Sequence, residues 1–171
     1  QGGGITIFDG EEFNYLNISD SLISNRVMAM SQIGNEIFVC QKGGVSIYDQ
    51  SKKWIRNVRS ADSQIIFQSI ITKDDLILLG SDKGLYQIVN NKIVPYDANL
   101  THDEIDIQSF FKDPNNDLWV CTSIGMFKLN DPYKKLNKNR GLSTDYATVA
   151  TFFQDHYVIG LYGGGVNFYN K

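Results

Sequence analysis

Two histidines, two cysteines and 19 acidic side chains are the groups with which this chain could do acid–base, nucleophilic or metal chemistry. His102-Asp103-Glu104 has the residue types of a phospho-acceptor histidine beside acidic partners. That chemistry belongs on a long helix, whereas Ile105-Asp106-Ile107 alternates as a strand does. Asp113-Pro114-Asn115-Asn116-Asp117 opens like a calcium loop. An EF-hand needs Gly at its sixth position and a carboxylate at its twelfth, where this chain has Leu118 and Ile124, so the segment reads as a polar hairpin turn. His156 reads as a solvated residue of another hairpin turn. Cys40 and Cys121 each lie inside an apolar run and read as buried free thiols. Two cysteines are not a disulfide framework. Asn17-Ile18-Ser19 and Asn99-Leu100-Thr101 would accept glycans only in a eukaryotic secretory setting. No nucleophile elbow, phosphate loop or kinase motif is present, and the glycine runs at 2–4 and 163–165 precede strands rather than helices. No catalytic residue, metal or cofactor is therefore expected, and the segment reads as non-enzymatic.

The elements that would position any site follow from composition. Only 5 Ala and 4 Glu stand against 19 Ile, 10 Val and 21 aromatics, so good helix formers are scarce and strand formers abundant. An all-β chain is expected. A net charge of −3 argues against a nucleic-acid partner. No apolar stretch approaches the ~18 residues of a membrane span. The opening Gln1-Gly2-Gly3-Gly4 has neither a basic nor an apolar leader, which predicts an excised or processed segment.

One pattern recurs: Gly, an aliphatic residue, any residue, then an apolar one. Its glycines are Gly4, Gly44, Gly84, Gly125 and Gly165, spaced by 40, 40, 41 and 40 residues. Four residues ahead of each later glycine stand Cys40, Gly80, Cys121 and Leu161, each closing an apolar strand. Earlier in each unit lies an alternating segment at Val27, Phe67, Ile107 and Val149, and after the glycine strand a weaker one near Phe13, Trp54, Ile93 and Leu136. Each unit is thus four short strands, A to D, joined by tight turns. Four antiparallel strands in about 40 residues is the arithmetic of a β-propeller blade. The glycine that opens strand C is expected at a crowded turn near the axis, where a side chain would clash or forbid the required φ.

The chain is read as a single β-propeller segment, 1–171. Strands C and D of a first blade fill 1–16, whole blades 22–58, 63–96 and 103–137, and strands A to C of a last blade 142–171. Strand C stands at both ends, so one copy would be redundant in a closed ring. The expectation is an open arc of a larger propeller, three whole blades plus two partial ones. A four-bladed ring, or closure by a second copy, are the alternatives, and exposed edge strands are the partner surface in either case.

At these residues the chain resembles the two-component-regulator propeller repeats of the periplasmic sensor regions of bacterial hybrid histidine kinases, notably of gut Bacteroidetes. The resemblance is carried by 21–27 (Ser-Leu-Ile-Ser-Asn-Arg-Val) leading to Gly43-Gly44-Val45, by 117–126 (Asp-Leu-Trp-Val-Cys-Thr-Ser-Ile-Gly-Met), and by Gly141-Leu142-Ser143-Thr144-Asp145 leading to Gly165-Val166. Only Trp119 keeps the family's tryptophan and only Thr122 its threonine. The resemblance implies a periplasmic ligand-sensing segment of a hybrid kinase, reaching the membrane only through other parts of its parent, with an oligosaccharide or other small ligand as the cue. A protein-interaction scaffold without a small ligand is the alternative. A fragment of a propeller lyase or glycosidase is a third reading, for which the converging acids are missing.

Ligands of propellers meet the face carrying the D–A and B–C loops. Projected there are Arg26, Lys42, Asp82, Lys83, His102, Tyr146 and Tyr162. Arg26 and Lys42 could fork an acidic group, and Tyr146 and Tyr162 could stack on a ring.

Overall fold

The structure, a computed structural model, describes residues 3–97 and 105–170. The chain is built of short antiparallel strands. β1 (Ile5–Phe8) and β2 (Phe13–Leu16) form a two-stranded sheet. β3 (Val27–Ile33), β4 (Glu36–Gln41), β5 (Gly44–Asp49) and β6 (Trp54–Arg59) form the first four-stranded sheet. β7 (Phe67–Lys73), β8 (Leu76–Ser81), β9 (Gly84–Val89) and β10 (Lys92–Pro95) form the second. β11 (Ile107–Lys112), β12 (Leu118–Thr122), β13 (Gly125–Lys128) and β14 (Asp131–Leu136) form the third. β15 (Ala147–Phe153), β16 (His156–Leu161) and β17 (Gly165–Asn170) close the series as a three-stranded sheet. Neighbours in each sheet are neighbours in sequence, so every sheet is a meander of the A-to-D kind expected. Among the described residues this is three four-stranded blades and two partial ones.

Turn chemistry sets the hairpins. Asn90-Asn91 joins β9 to β10 with φ of 50° and 59°, and Gln154-Asp155 joins β15 to β16 with φ of 45° and 64°. Positive φ at both central residues is the type I′ turn, whose twist matches that of the flanking strands. His156 lies just past this turn, as the first residue of β16 rather than within the turn itself.

The chain divides into two compact units, Gln1–Leu79 with Tyr86–Val94, and Gly80–Leu85 with Pro95–Lys171. In the first, successive residues of β4 serve different cores. Phe38 and Cys40 pack with Ile47, Phe67 and Leu79, while Val39 packs with Leu22 and Tyr48. A strand covered on both faces has no polar side, which is why 37–40 reads as a continuous apolar run. Each fully buried Val, Leu, Ile or Phe contributes about 1.5–3 kcal/mol of transfer free energy. In the second unit Trp119, Cys121, Met126 and Leu136 pack with Ala147, Tyr157 and Ile159.

All five glycines that open strand C have the positive φ expected of them, and at Gly4, Gly44 and Gly125 the expected clash is present as well. At Gly44 an added Cβ would lie 2.4 Å from the carbonyl oxygen of Val58, and at Gly125 2.5 Å from that of Leu136. Val58 and Leu136 belong to strand D of the same sheet, so at these two positions the close approach is between strands C and D. Gly165, with no strand D beside it among the described residues, has nothing within 4 Å of that position, and neither has Gly84, although β10 lies beside its strand; at these two the positive φ alone asks for glycine.

Two short 3-10 turns, Ile18–Asp20 and Lys138–Arg140, interrupt the D–A loops and were not foreseen from the repeat. Asn17 caps the first, its side chain accepting from the Ser19 amide, while Asp20 accepts from the Asn17 amide in a capping box. The sequon asparagine therefore has a structural task.

Candidate functional site

The last residue of strand B governs the B–C turn. The Ser81 hydroxyl donates to the Gly84 carbonyl at 2.9 Å, and the Thr122 hydroxyl to the Gly125 carbonyl at 2.7 Å. Each oxygen also accepts from the turn backbone, at Lys83 N and Ile124 N. In the first unit the buried Gln41 holds this place. Its Nε2 donates to the Ser24 carbonyl and its Oε1 accepts from the Ser46 hydroxyl at 2.8 Å, which pins the D–A loop. In the repeat the corresponding residue of the last sheet is Tyr162. Its ring is too long to close the turn and stands outward, 74% exposed.

The residue before strand A is the second repeated position: Arg26, Ile66, Asp106 and Tyr146 directly precede β3, β7, β11 and β15. Tyr146 donates its phenolic hydrogen to Asp106 Oδ2 at 2.7 Å, 40 residues away in sequence, and accepts from Gln108 Nε2 at 3.0 Å. The bond to Asp106, aided by burial, pushes the Tyr146 phenol up to about 12, so it stays protonated and donating through neutral pH. The Tyr146 and Tyr162 rings lie 5.5 Å apart, tilted by 50°, and Tyr162 N donates to the Tyr146 carbonyl at 2.9 Å. Ser143 Oγ donates to the Gly164 carbonyl and Thr144 Oγ1 to that of Tyr162, holding the Tyr162 turn against the loop before β15.

The second unit thus brings Tyr146 and Tyr162 together as an aromatic pair, one ring anchored and one exposed, beside the fixed polar groups Asp106 and Gln108. Asp106 and Gln108 were not singled out in the sequence. The signal that could have found Asp106 is its 40-residue offset from Tyr146. The arrangement offers the exposed face of the Tyr162 ring beside fixed hydrogen-bonding groups, and among the described residues it pairs no nucleophile with a base.

The remaining candidates lie elsewhere. Asp82 and Lys83 form the B–C turn between β8 and β9. In the first unit Lys42 Nζ donates to Gln64 Oε1 at 2.6 Å, and Lys42 lines a cleft of about 280 Å³ with Ser24, Ser63 and Arg59. Arg59, not Arg26, is the guanidinium that shares this cleft with Lys42. Arg26 is exposed at the head of β3, its amide donating to Ser24 Oγ at 3.1 Å. His102 lies outside the described residues, as does the second sequon. Among the described residues no three His, Cys, Asp or Glu side chains group to hold a metal ion, and no helix is long and apolar enough to cross a membrane.

No protein-family model and no curated protein matches the chain. Solved structures do. The extracellular domain of BT3049 from B. thetaiotaomicron, described as a hybrid two component system, superposes with a TM-score of 0.76 at 18% identity over 99% of this chain and 25% of that one. The extracellular domain of BT4673 from the same organism gives 0.74 at 16% identity, over 94% of this chain and 23% of that one. Virginiamycin B lyase from Staphylococcus aureus gives 0.69 at 10% identity, over 99% and 63%. The chain spans about a quarter of the length of the two extracellular domains it matches. At these identities the likeness establishes a fold: four-stranded antiparallel blades of the propeller type. That the same fold houses a lyase and extracellular domains of two-component systems means function must be argued from the site.

Proposed function

We propose that the chain is part of the extracytoplasmic, periplasmic sensor region of a hybrid two-component histidine kinase, and that it senses a small ligand, an oligosaccharide, and relays its binding as signal. Two observations support this reading. The fold is shared with two extracellular domains of hybrid two-component systems, and the loop end of the last sheet carries an exposed tyrosine, Tyr162, beside a tyrosine locked by Asp106. The second carries the argument. A sugar ring offers a C–H face for an aromatic ring and hydroxyls for fixed polar groups, and this pair supplies both. The segment itself performs no chemistry in this reading, and the membrane is reached through other parts of the parent.

The test is a thermal-shift and calorimetric screen of the chain against short neutral oligosaccharides. The expected result is a raised Tm for one class, removed by Tyr162→Ala. No shift across the panel, or binding that survives both Tyr162→Ala and Tyr146→Phe, overturns the ligand assignment.

A scaffold reading rests on a separate observation. On β17, the outer strand of its sheet among the described residues, Phe168 is 67% and Val166 58% exposed. An apolar edge strand is a surface for pairing with adjacent blades or a second copy. Concentration-dependent association abolished by Phe168→Lys, with no oligosaccharide response, would favour it.

A further inference from the structure

Within the second unit, the sheet of β11–β14 and the sheet of β15–β17 enclose a groove of about 250 Å³ whose lining mixes aromatic and cationic side chains. Trp119 of β12 and Tyr157 of β16, each 5% exposed, and Tyr169 of β17 supply its apolar wall. Lys128, Lys134, Lys135 and Arg140 line it against two carboxylates, Asp113 and Asp117, so the lining is net positive.

The two carboxylates are already answered. Asp117 Oδ2 pairs with Lys128 Nζ at 2.7 Å. Asp113 is buried and accepts four hydrogen bonds: from the amides of Asn115 and Asp117 at Oδ1, and from Trp119 Nε1 and Tyr157 Oη at Oδ2. Those donors hold Asp113 ionised, so its single negative charge stays in the groove, outweighed by Lys134, Lys135 and Arg140. Lys134, also in the lining, is exposed and has no ion-pair partner among the described residues. Arg140 is oriented through Nη1, which donates to the Lys135 carbonyl at 3.1 Å. The Tyr157 phenol, pushed up to about 12 mainly by burial and then by its bond to Asp113, adds no negative charge near neutral pH.

The volume lies just under the ~300–1,000 Å³ of drug-sized sites and above the ~150 Å³ that holds a benzene, so a single ring fits. We propose that this groove binds a small cyclic carboxylate, its ring against Trp119, Tyr157 and Tyr169 and its carboxylate toward Lys134 and Arg140. Lys134 offers the carboxylate a point charge, and Arg140 adds positive charge to the same lining. The same chemistry could come from a sugar acid or from an aromatic acid. The site is distinct from the Tyr146–Tyr162 pair and does not depend on the sensor reading.

Calorimetric titration of the 171-residue chain at low salt, with D-glucuronate, benzoate, inorganic sulfate and methyl glucoside as probes, tests this. One of the two cyclic carboxylates is expected to bind with a Kd below about 1 mM, at least about tenfold tighter than sulfate or methyl glucoside. Glucuronate ahead of benzoate identifies a sugar acid, and the reverse an aromatic acid. Lys134→Glu, a change at an exposed side chain, and Lys134→Ala with Arg140→Ala are each expected to weaken binding at least about tenfold with an unchanged near-UV dichroism spectrum. Tyr162→Ala is expected to leave it unaltered. The proposal is overturned by no binding of either carboxylate, by sulfate or methyl glucoside binding as tightly, by binding indifferent to both rim variants, or by loss of binding in Tyr162→Ala.

Discussion

Tyr157 of β16 donates its phenolic hydrogen to Asp113 Oδ2 at 2.9 Å, tying one sheet of the second unit to the β11–β12 turn of the next across 44 residues of sequence. Trp119 Nε1 donates to the same oxygen at 3.2 Å. The bond joins two sheets that also meet through apolar side chains and through the Ser109 hydroxyl, which donates to the Thr148 carbonyl at 2.8 Å, and it fixes the angle of the Tyr157 ring at the centre of an aromatic cluster with Phe111, Trp119 and Phe152.

Removing the donor leaves Asp113 with three others, so Tyr157→Phe should destabilise the chain by about 1 kcal/mol, the value of one net hydrogen bond. Asp113→Ala strands four donors, two of them on buried side chains, and should cost about 3 kcal/mol. Urea denaturation measures both, and equal effects would contradict this account. The pH dependence has a definite sign. Burial works against the charge of Asp113, but hydrogen bonds from Tyr157, Trp119 and the Asp117 and Asn115 amides outweigh it and hold the carboxyl below its ordinary 3.8. Its contribution is therefore present above pH 3.8 and lost as pH falls through the lower, folded value. Tyr157→Phe should shrink that acid-side loss.

The strand-C glycines should separate into two groups. Gly125→Ala places a Cβ 2.5 Å from the Leu136 carbonyl at a φ of 125°, and a backbone oxygen in a ladder cannot swing aside. Gly165→Ala meets open space and suffers only a positive φ of 70°. The left-handed conformation alone costs about 1–2 kcal/mol for an alanine. Gly125→Ala should exceed that by at least about 2 kcal/mol, in line with overpacked sites. Comparable unfolding midpoints for the two variants would refute the strand-D explanation.

The thiols should be silent in the folded chain. Burial pushes Cys40 up to about 12 and Cys121 to about 11, from an ordinary 9.0. The thiolate is the reactive form, so neither should react with a thiol reagent at pH 8 until the chain unfolds, when both should. Because each folded pKa is raised, the stability they contribute is intact below pH 9 and declines as pH rises through it. Rapid labelling of native protein would show that the strand-B cores open locally.

Tyr146 and Tyr162 should behave differently despite their contact. Tyr162→Ala removes a 74% exposed side chain and should change stability by no more than about 0.5 kcal/mol. Tyr146→Phe loses the bond to Asp106 and should cost about 1 kcal/mol. In an absorbance titration, Tyr146 and Tyr157 should ionise near 12. Below about pH 10 the Tyr146–Asp106 bond is fully present, and it is lost as pH climbs toward 12.

The amino-acid order alone determined the strands. Phe38-Val39-Cys40, Leu118-Trp119-Val120 and their counterparts announce themselves because each strand obeys a local rule: side chains alternate, and a strand covered on both faces must be apolar throughout. The glycines were legible for the same reason, since a positive φ is a property of one residue. The two 3-10 turns were not, because a Ser-Asp or Asn-Arg stretch specifies a turn without naming its kind.

Tertiary packing decided which side chains meet. Nothing local distinguishes Asp106 from the chain's other aspartates. It becomes the anchor of Tyr146 only when strands of successive sheets are laid side by side, and Asp113 finds Tyr157 in the same way. The cause of the glycine requirement was likewise hidden, because the Leu136 carbonyl reaches Gly125 only after strand D has paired. Periodicity is written into the covalent chain, whereas contacts between sheets depend on how buried faces interlock, and that is a property of the assembled core.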